Sequence, residues 1–246
     1  MDLMSASSFP NTNTHDCVAL SVSTTCFCSC SRLALALAHV DYTDHRVKYG
    51  GEWPALKPTT PYGQLPIMEG LMDSDDSTTT SQPKAQSGAM LRYIGKHYSK
   101  TLYPDKALYA VEEALGVVAD MKRSWEPCLY MGMAPDKFGH PKDHGKTPEG
   151  QELVKMMRTR WLDTELPKFA GFLDKLLKAN NHQWLASTDA PTIADCDAVV
   201  FLRSLTRGHM DHVPKDCLDK YPVLVDYVKR FCALPEIQGR YTNGLY

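Results

Sequence analysis

The stretch that decides the fold is Pro61-Tyr62-Gly63-Gln64-Leu65-Pro66-Ile67, answered further along by Gln86-Ser87-Gly88-Ala89-Met90-Leu91-Arg92-Tyr93-Ile94. The first piece offers a strand edge beside a proline. The second places a hydroxyl residue at the start of an apolar, helix-like run. Together they supply what holds a short acidic peptide: free backbone groups for its main chain and a helix N-terminus for a carboxylate.

Around this pair the chain alternates between strand and helix. Cys17 to Ser23 reads as a strand, with Val18, Leu20 and Val22 alternating with smaller residues. Arg32 to His39 is rich in Leu and Ala and favours helix. Thr43 to Val47 and Leu65 to Met68 fit two more strands, and Glu52 to Lys57 fits a short helical turn. Met72 to Lys84 is a polar insert whose Thr-rich end is expected to hold a fourth strand. Ser87 to His97 is a helix. This is the pattern of a small α/β domain.

Beyond Tyr103-Pro104-Asp105 the sequence reads as helix and loop. Leu108 to Trp125 predicts one helix and Met131 to Pro148 a long loop. Glu152 to Leu177 carries apolar residues at helical spacing, and Pro167 predicts a kink or junction there. Thr192-Ile193-Ala194-Asp195 has the form of a capping box opening another helix. Pro222 suits the first turn of a further helix. The expected division is a tail over residues 1–15, an α/β domain over 16–100 and an all-helical domain over 107–246.

The chain has 246 residues and a net charge of −2, with no basic block of the kind that phosphate binding needs. No apolar run reaches the roughly 18 residues of a membrane span. No Lys or Arg precedes Arg32, so neither a secretory signal nor a mitochondrial leader is expected, and the expected compartment is the cytoplasm. The eight cysteines then read as thiols rather than as a disulfide framework.

Tyr42-Thr43-Asp44-His45-Arg46-Val47, Glu52-Trp53-Pro54-Ala55-Leu56-Lys57, Tyr62-Gly63-Gln64-Leu65-Pro66 and Gln86-Ser87-Gly88-Ala89 stand in an order and spacing that resemble the cytosolic glutathione transferases, most of all the sigma class. Leu166-Pro167-Lys168-Phe169 and Thr192-Ile193-Ala194-Asp195 match the helical part of that family. The similarity spans roughly residues 17 to 240.

The resemblance implies a thioredoxin-like N-terminal domain, an all-α C-terminal domain and a homodimer that uses glutathione as co-substrate without a metal. It implies that Pro66 is a cis-proline, turning Leu65 so that its backbone pairs with the cysteinyl part of glutathione. Ser87 and Gln86 would bind the γ-glutamyl end, Trp53 and Lys57 the glycyl end, and Gln64 would line the site. The alternatives from the residues alone are an N-cap for Ser87, packing for Trp53 and a solvated charge for Lys57. A small apolar second substrate would lie between the domains near Met121, Trp125, Tyr130, Met131 and Met133. Glu112 or Glu113 would reach the glutathione amine of the partner subunit.

At the chemical centre the chain departs from the family. The activating tyrosine is missing: no tyrosine occurs before Tyr42. Ungapped placement on Arg32 puts Ser21 at its position, and Ser23 or Thr24 would follow if the loop is shifted. A serine hydroxyl there would stabilise the thiolate of glutathione for conjugation. A second reading uses Cys26 or Cys28 as the nucleophile of a glutathione-dependent thiol oxidoreductase. A third is a non-catalytic binding protein of the same fold. Cys26-x-Cys28-x-Cys30 lacks both a matching ligand pair for zinc and the C-x-x-C spacing of thioredoxin-type sites.

Overall fold

The computed structural model describes residues 17–22, 29–48, 51–70 and 82–240, with the backbone alone for 17–22 and Arg240. The expected tail, Cys26 and Cys28, and most of the Met72–Lys84 insert lie outside the described residues. Four strands form one sheet: β1 (Cys17–Val22), β2 (Tyr42–Val47), β3 (Ile67–Glu69) and β4 (Lys84–Ala85), in the order β2-β1-β3-β4. β1 runs parallel to β2, while β3 is antiparallel to both β1 and β4. A parallel pair needs a crossover, and helix α1 (Ser29–Leu37) supplies it.

α1 begins before the expected Arg32, because Ser29, Cys30 and Ser31 are buried as its first turn. It ends in a Schellman arrangement: Val40 N–H donates to Leu35 O at 3.0 Å and His39 N–H to Ala36 O at 3.1 Å. His39 takes the left-handed conformation, φ 55°, where glycine is commoner. α2 (Trp53–Leu56) and a 3₁₀ turn over Lys57–Thr59 follow β2, and α3 (Ser87–Tyr98) follows β4. The fourth strand therefore sits at the very end of the insert.

The rest is helical: α4 (Leu108–Met133), α5 (Pro148–Ala179), α6 (Ile193–Thr206), α7 (Pro222–Cys232) and α8 (Pro235–Arg240). α4 passes the expected stop at Trp125 and includes Pro127, so much of the predicted 131–148 loop is shorter and holds two 3₁₀ turns. Burial explains this. Cys128 and Met131 lie in the core, and the buried Arg158 of α5 donates to Cys128 O at 3.2 Å and to Asp211 O at 2.6 Å. Tertiary contacts of this kind override local propensity. α5 likewise runs unbroken across Pro167; Pro148 occupies its first turn and the Thr147 hydroxyl accepts from Gly150 N–H at 3.1 Å. The architecture is thus a thioredoxin-like α/β unit followed by an all-α unit.

The two units share one core. α1 packs against both α3 and α6, and α4 packs against α5 and α6. At the junction, Gly95 of α3 has no room for a side chain: a Cβ there would lie 2.6 Å from Tyr103 Cβ and 3.1 Å from Ile193 Cγ2. Ile193 N–H donates to Leu102 O at 2.9 Å, tying the start of α6 to the connecting segment.

The expected capping box is present. Asp195 is wholly buried and accepts from Thr192 N–H at 2.7 Å, Thr192 Oγ1 at 3.0 Å, Leu185 N–H at 3.0 Å and Tyr227 Oη at 2.8 Å. Burial pushes this carboxyl up from its ordinary range, and the donors pull it back. Asp195→Ala leaves those donors without an acceptor, and a loss of about 3–5 kcal/mol is expected. Tyr227→Phe removes a single donor and is expected to cost about 1–2 kcal/mol. Urea unfolding midpoints check both, in that order of severity.

Candidate functional site

The strand register gathers the sequence-predicted residues on one edge of the sheet. Leu20 of β1 lies opposite Ile67, the first residue of β3, and Val22 lies opposite Val47, the last residue of β2. Ala85, the last residue of β4, also pairs with Ile67. The end of β1, the exit from β2 toward Trp53, the entry to β3 through Leu65–Pro66 and the exit from β4 through Gln86–Ser87 therefore share one rim. The first turn of α1 belongs to the same rim, since β1 feeds it.

Each segment is held there by local bonds. Trp53 N–H donates to Lys48 O at 3.3 Å, fastening α2 to the end of β2. Trp53 is half-buried and Lys57 is exposed. The Lys57 side chain lies over Gly63, whose φ of 61° suits glycine, and Gly63 N–H donates to Thr60 O at 3.3 Å. Gln64 is exposed, and Leu65 and Pro66 are half-buried. The Leu65–Pro66 bond is cis, as the resemblance implies.

At the start of α3 the N-cap is Gln86, not Ser87, and its side chain makes no capping bond. Ser87 is the first helical residue and half-buried. The capping alternative for Ser87 is therefore set aside. Gln86 holds φ 68° and ψ 104°, a conformation that costs an ordinary residue about 1–3 kcal/mol. The helix N-terminus beside it carries a fixed partial positive charge. A peptide carboxylate would meet donors and favourable charge here.

The first turn of α1 is tied to β2. Buried Arg32 pairs with Asp44 of β2 at 2.7 Å, and Asp44 also accepts from Arg46 at 2.9 Å. Ser21 stands opposite Arg46 in the backbone register. Cys30 is fully buried, and burial, with Asp197 nearby, pushes its thiol up to about 12. Cys196 is raised well above its ordinary value for the same first reason. These two thiols are packing groups rather than nucleophiles. Among the described residues, no group of three or more His, Cys, Asp or Glu is placed to hold a metal ion.

The expected second-substrate residues divide. Met121 and Trp125 are 1% and 2% exposed, and Trp125 meets Trp161 edge-on at 4.9 Å. They are core, because α4 packs on α5 and α6. Met131 is buried too, while Tyr130 is half-buried under Lys137 Nζ at 3.6 Å and Met133 is exposed. What sequence reasoning missed is an ion pair between Lys122 of α4 and Asp197 of α6. A lysine one residue after buried Met121, four after buried Val118, is the signal that could have shown it.

Glu112 is engaged within the chain. Arg92 of α3 donates to its Oε1 at 2.8 Å and its Oε2 at 2.6 Å, and Tyr103 Oη donates to Oε1 at 2.7 Å. Arg92 reaches back to Gly88 O at 3.0 Å, so Glu112 steadies the first turn of α3.

Residues 143–241 match the family model of the glutathione S-transferase C-terminal domain. A class-mu 28 kDa glutathione S-transferase isozyme of Schistosoma japonicum is 26% identical over 207 residues, 84% of this chain and 86% of that one. Glutathione S-transferase 1 of Ascaris suum is 40% identical over 138 residues, 56% of this chain and 57% of its own. Among solved structures, prostaglandin synthase D of Nilaparvata lugens superposes with TM-score 0.71 at 19% identity, covering 93% of this chain and 97% of that one. The fold is that of the glutathione S-transferases.

The Arg92 guanidinium, through hydrogen bonding first, holds the Glu112 carboxyl below its ordinary value of 4.5. A depressed carboxyl contributes stability above the unfolded value that disappears as pH falls through the folded one. Wild type is therefore expected to lose thermal stability below pH 4.5 more steeply than Glu112→Gln, by a small margin because the pair is partly exposed. Melting temperature against pH, read on both proteins, checks this.

Proposed function

We propose that the protein is a glutathione transferase that joins the glutathione thiolate to a small electrophile held between the α/β and helical units. The observation that carries this reading is the shared rim. It brings the cis Leu65–Pro66 peptide, the side-chain-uncapped start of α3 at Gln86–Ser87 and the Trp53–Lys57 segment together at the end of β1. Leu65 backbone groups would take the cysteinyl unit. Ser87 and Gln86 would take the γ-glutamyl carboxylate, with the helix dipole adding about 0.3–1 kcal/mol. Trp53 and Lys57 would hold the glycyl end, and Gln64 would line the site. With glutathione so placed, its sulfur would face the end of β1, where Ser21 would donate to the thiolate.

The same proposal includes the division near Tyr98 to Lys106 into a glutathione-binding unit and a helical unit. It includes a sigma-like character, resting on the motif wording, although curated relatives include proteins named class-mu. A homodimer in the cytoplasm, serving detoxification, follows the family pattern. No described helix is long and apolar enough to cross a membrane.

Titration calorimetry with glutathione tests the site. Ser87→Ala is expected to weaken binding about tenfold, roughly 1.4 kcal/mol. Its melting temperature should hardly move, because Ser87 caps nothing. Unchanged affinity in Ser87→Ala would remove the assigned carboxylate site.

A further inference from the structure

The end of α3 that the proposed reading gives to glutathione is secured by a side chain one turn further on. Arg92 points back along its own helix, as helical side chains do, and its Nη1 donates to Gly88 O at 3.0 Å, next to Ser87. The other nitrogens are taken by α4: Nε donates to Glu112 Oε1 at 2.8 Å and Nη2 to Oε2 at 2.6 Å. Tyr103 Oη, from the segment between the two helices, closes on the same Oε1 at 2.7 Å. Each guanidinium nitrogen therefore has an acceptor, and the planar fork cannot turn without breaking a bond. Gly88 leaves room for it: a Cβ there would stand 3.3 Å from Arg92 Nη1.

Stability does not account for this arrangement. The Arg92 and Glu112 side chains are 42% and 36% exposed, and pairs of that exposure contribute little to folding. What the bridge fixes is position. The first N–H groups of a helix have no partner within it, and its opening turn frays unless something holds it. At α3 the N-cap side chain makes no capping bond, and the Gln86 backbone is held at φ 68° just before those N–H groups. Arg92 steadies the turn from the carbonyl side instead, by pinning Gly88 to α4. An anion gains from a helix N-terminus only while the N–H groups stay aimed at it, so an ordered turn raises affinity.

We propose that Arg92 is a positioning residue for the γ-glutamyl carboxylate of glutathione, with Glu112 of α4 and Tyr103 as the groups that hold it in place. This rests on the transferase reading and deepens it: residues of the helical unit set how well the α/β unit binds its co-substrate. In this role Arg92 touches neither glutathione nor the reacting atoms. Its effect passes through Gly88 to the backbone of Ser87 and Gln86 and is spent on binding, so the chemical step at the sulfur is left as it is.

Titration calorimetry on the full chain tests this with glutathione and with 4-aminobutanoyl-cysteinylglycine, which is glutathione without its γ-glutamyl carboxylate. Wild type is expected to prefer glutathione by about tenfold, as one charge-assisted site allows. Arg92→Met is expected to weaken glutathione about fivefold and to leave the analogue nearly unchanged, which brings the preference down to about twofold. Arg92→Lys, which can reach Gly88 O or Glu112 but not both, should fall between. Glu112→Leu should act as Arg92→Met does, and the double variant should be no worse than either, because the two residues act as one unit. In turnover with 1-chloro-2,4-dinitrobenzene, KM for glutathione should rise in these variants while kcat holds. A merely structural role would weaken both ligands together and lower kcat as well. Unchanged glutathione affinity in Arg92→Met, or an equal loss for both ligands, overturns the proposal and leaves the transferase reading standing. Binding without turnover removes the transferase reading and leaves the calorimetric comparison in force. If wild type binds both ligands equally, the carboxylate site falls and this inference with it; if it binds neither, the glutathione reading falls too.

Discussion

The buried carboxylate of Asp195 is the constraint on which the rest of the molecule depends. A charge with no exposure is tolerated only where donors surround it. Here they come from three places in the chain: the Thr192 cap, the Leu185 backbone and Tyr227 of α7. Satisfying one group therefore fixes the start of α6, the segment before it and α7 relative to one another. α6 is in turn the surface on which α1 lies. The position of the candidate site is, in this sense, settled in the helical half.

From α1 outward the constraints are local. The Arg32–Asp44–Arg46 cluster holds the first turn of α1 against β2. Gly95 allows α3 to close on Tyr103 and Ile193, and Arg92 anchors the opening turn of α3 through Glu112. The rim then arises from register: β1 and β2 end together, while β3 begins and β4 ends beside them. Strained Gln86 stands where a ligand rather than a side-chain cap would complete a helix end.

Much of this was legible in the sequence, for definite reasons. Alternation marked β1, Leu and Ala marked α1, and Thr192–Asp195 spelled out a cap that the structure contains. The cis bond at Pro66 followed from motif wording, not from any local rule. Helix ends were read poorly where prolines stood. Pro167 suggested a kink or junction and the helix from Leu108 was expected to stop at Trp125, but Cys128, Met131 and Phe169 are buried by neighbouring helices, and that burial outweighs the hydrogen bonds lost at the prolines. Partners distant in sequence were invisible: nothing local couples Lys122 to Asp197, Glu112 to Arg92, or Asp195 to Tyr227. Periodicity recognised Met121 and Trp125 as apolar and helical. It did not distinguish a pocket wall from a core.

The chemistry of the proposed reaction rests on one departure. Without the family's tyrosine, the thiolate would rely on the Ser21 hydroxyl at the end of β1. Cys26 and Cys28 lie outside the described residues, and the described thiols Cys30 and Cys196 are too deeply buried to substitute for it. The most direct test is a pH titration of the thiolate absorbance of bound glutathione, on wild type and on Ser21→Ala. A thiol pKa well below the ordinary value of about 8.5 in wild type, returned to it by Ser21→Ala, is the result predicted. An ordinary value in wild type would contradict serine activation and leave a Cys26- or Cys28-based oxidoreductase or a binding protein in its place.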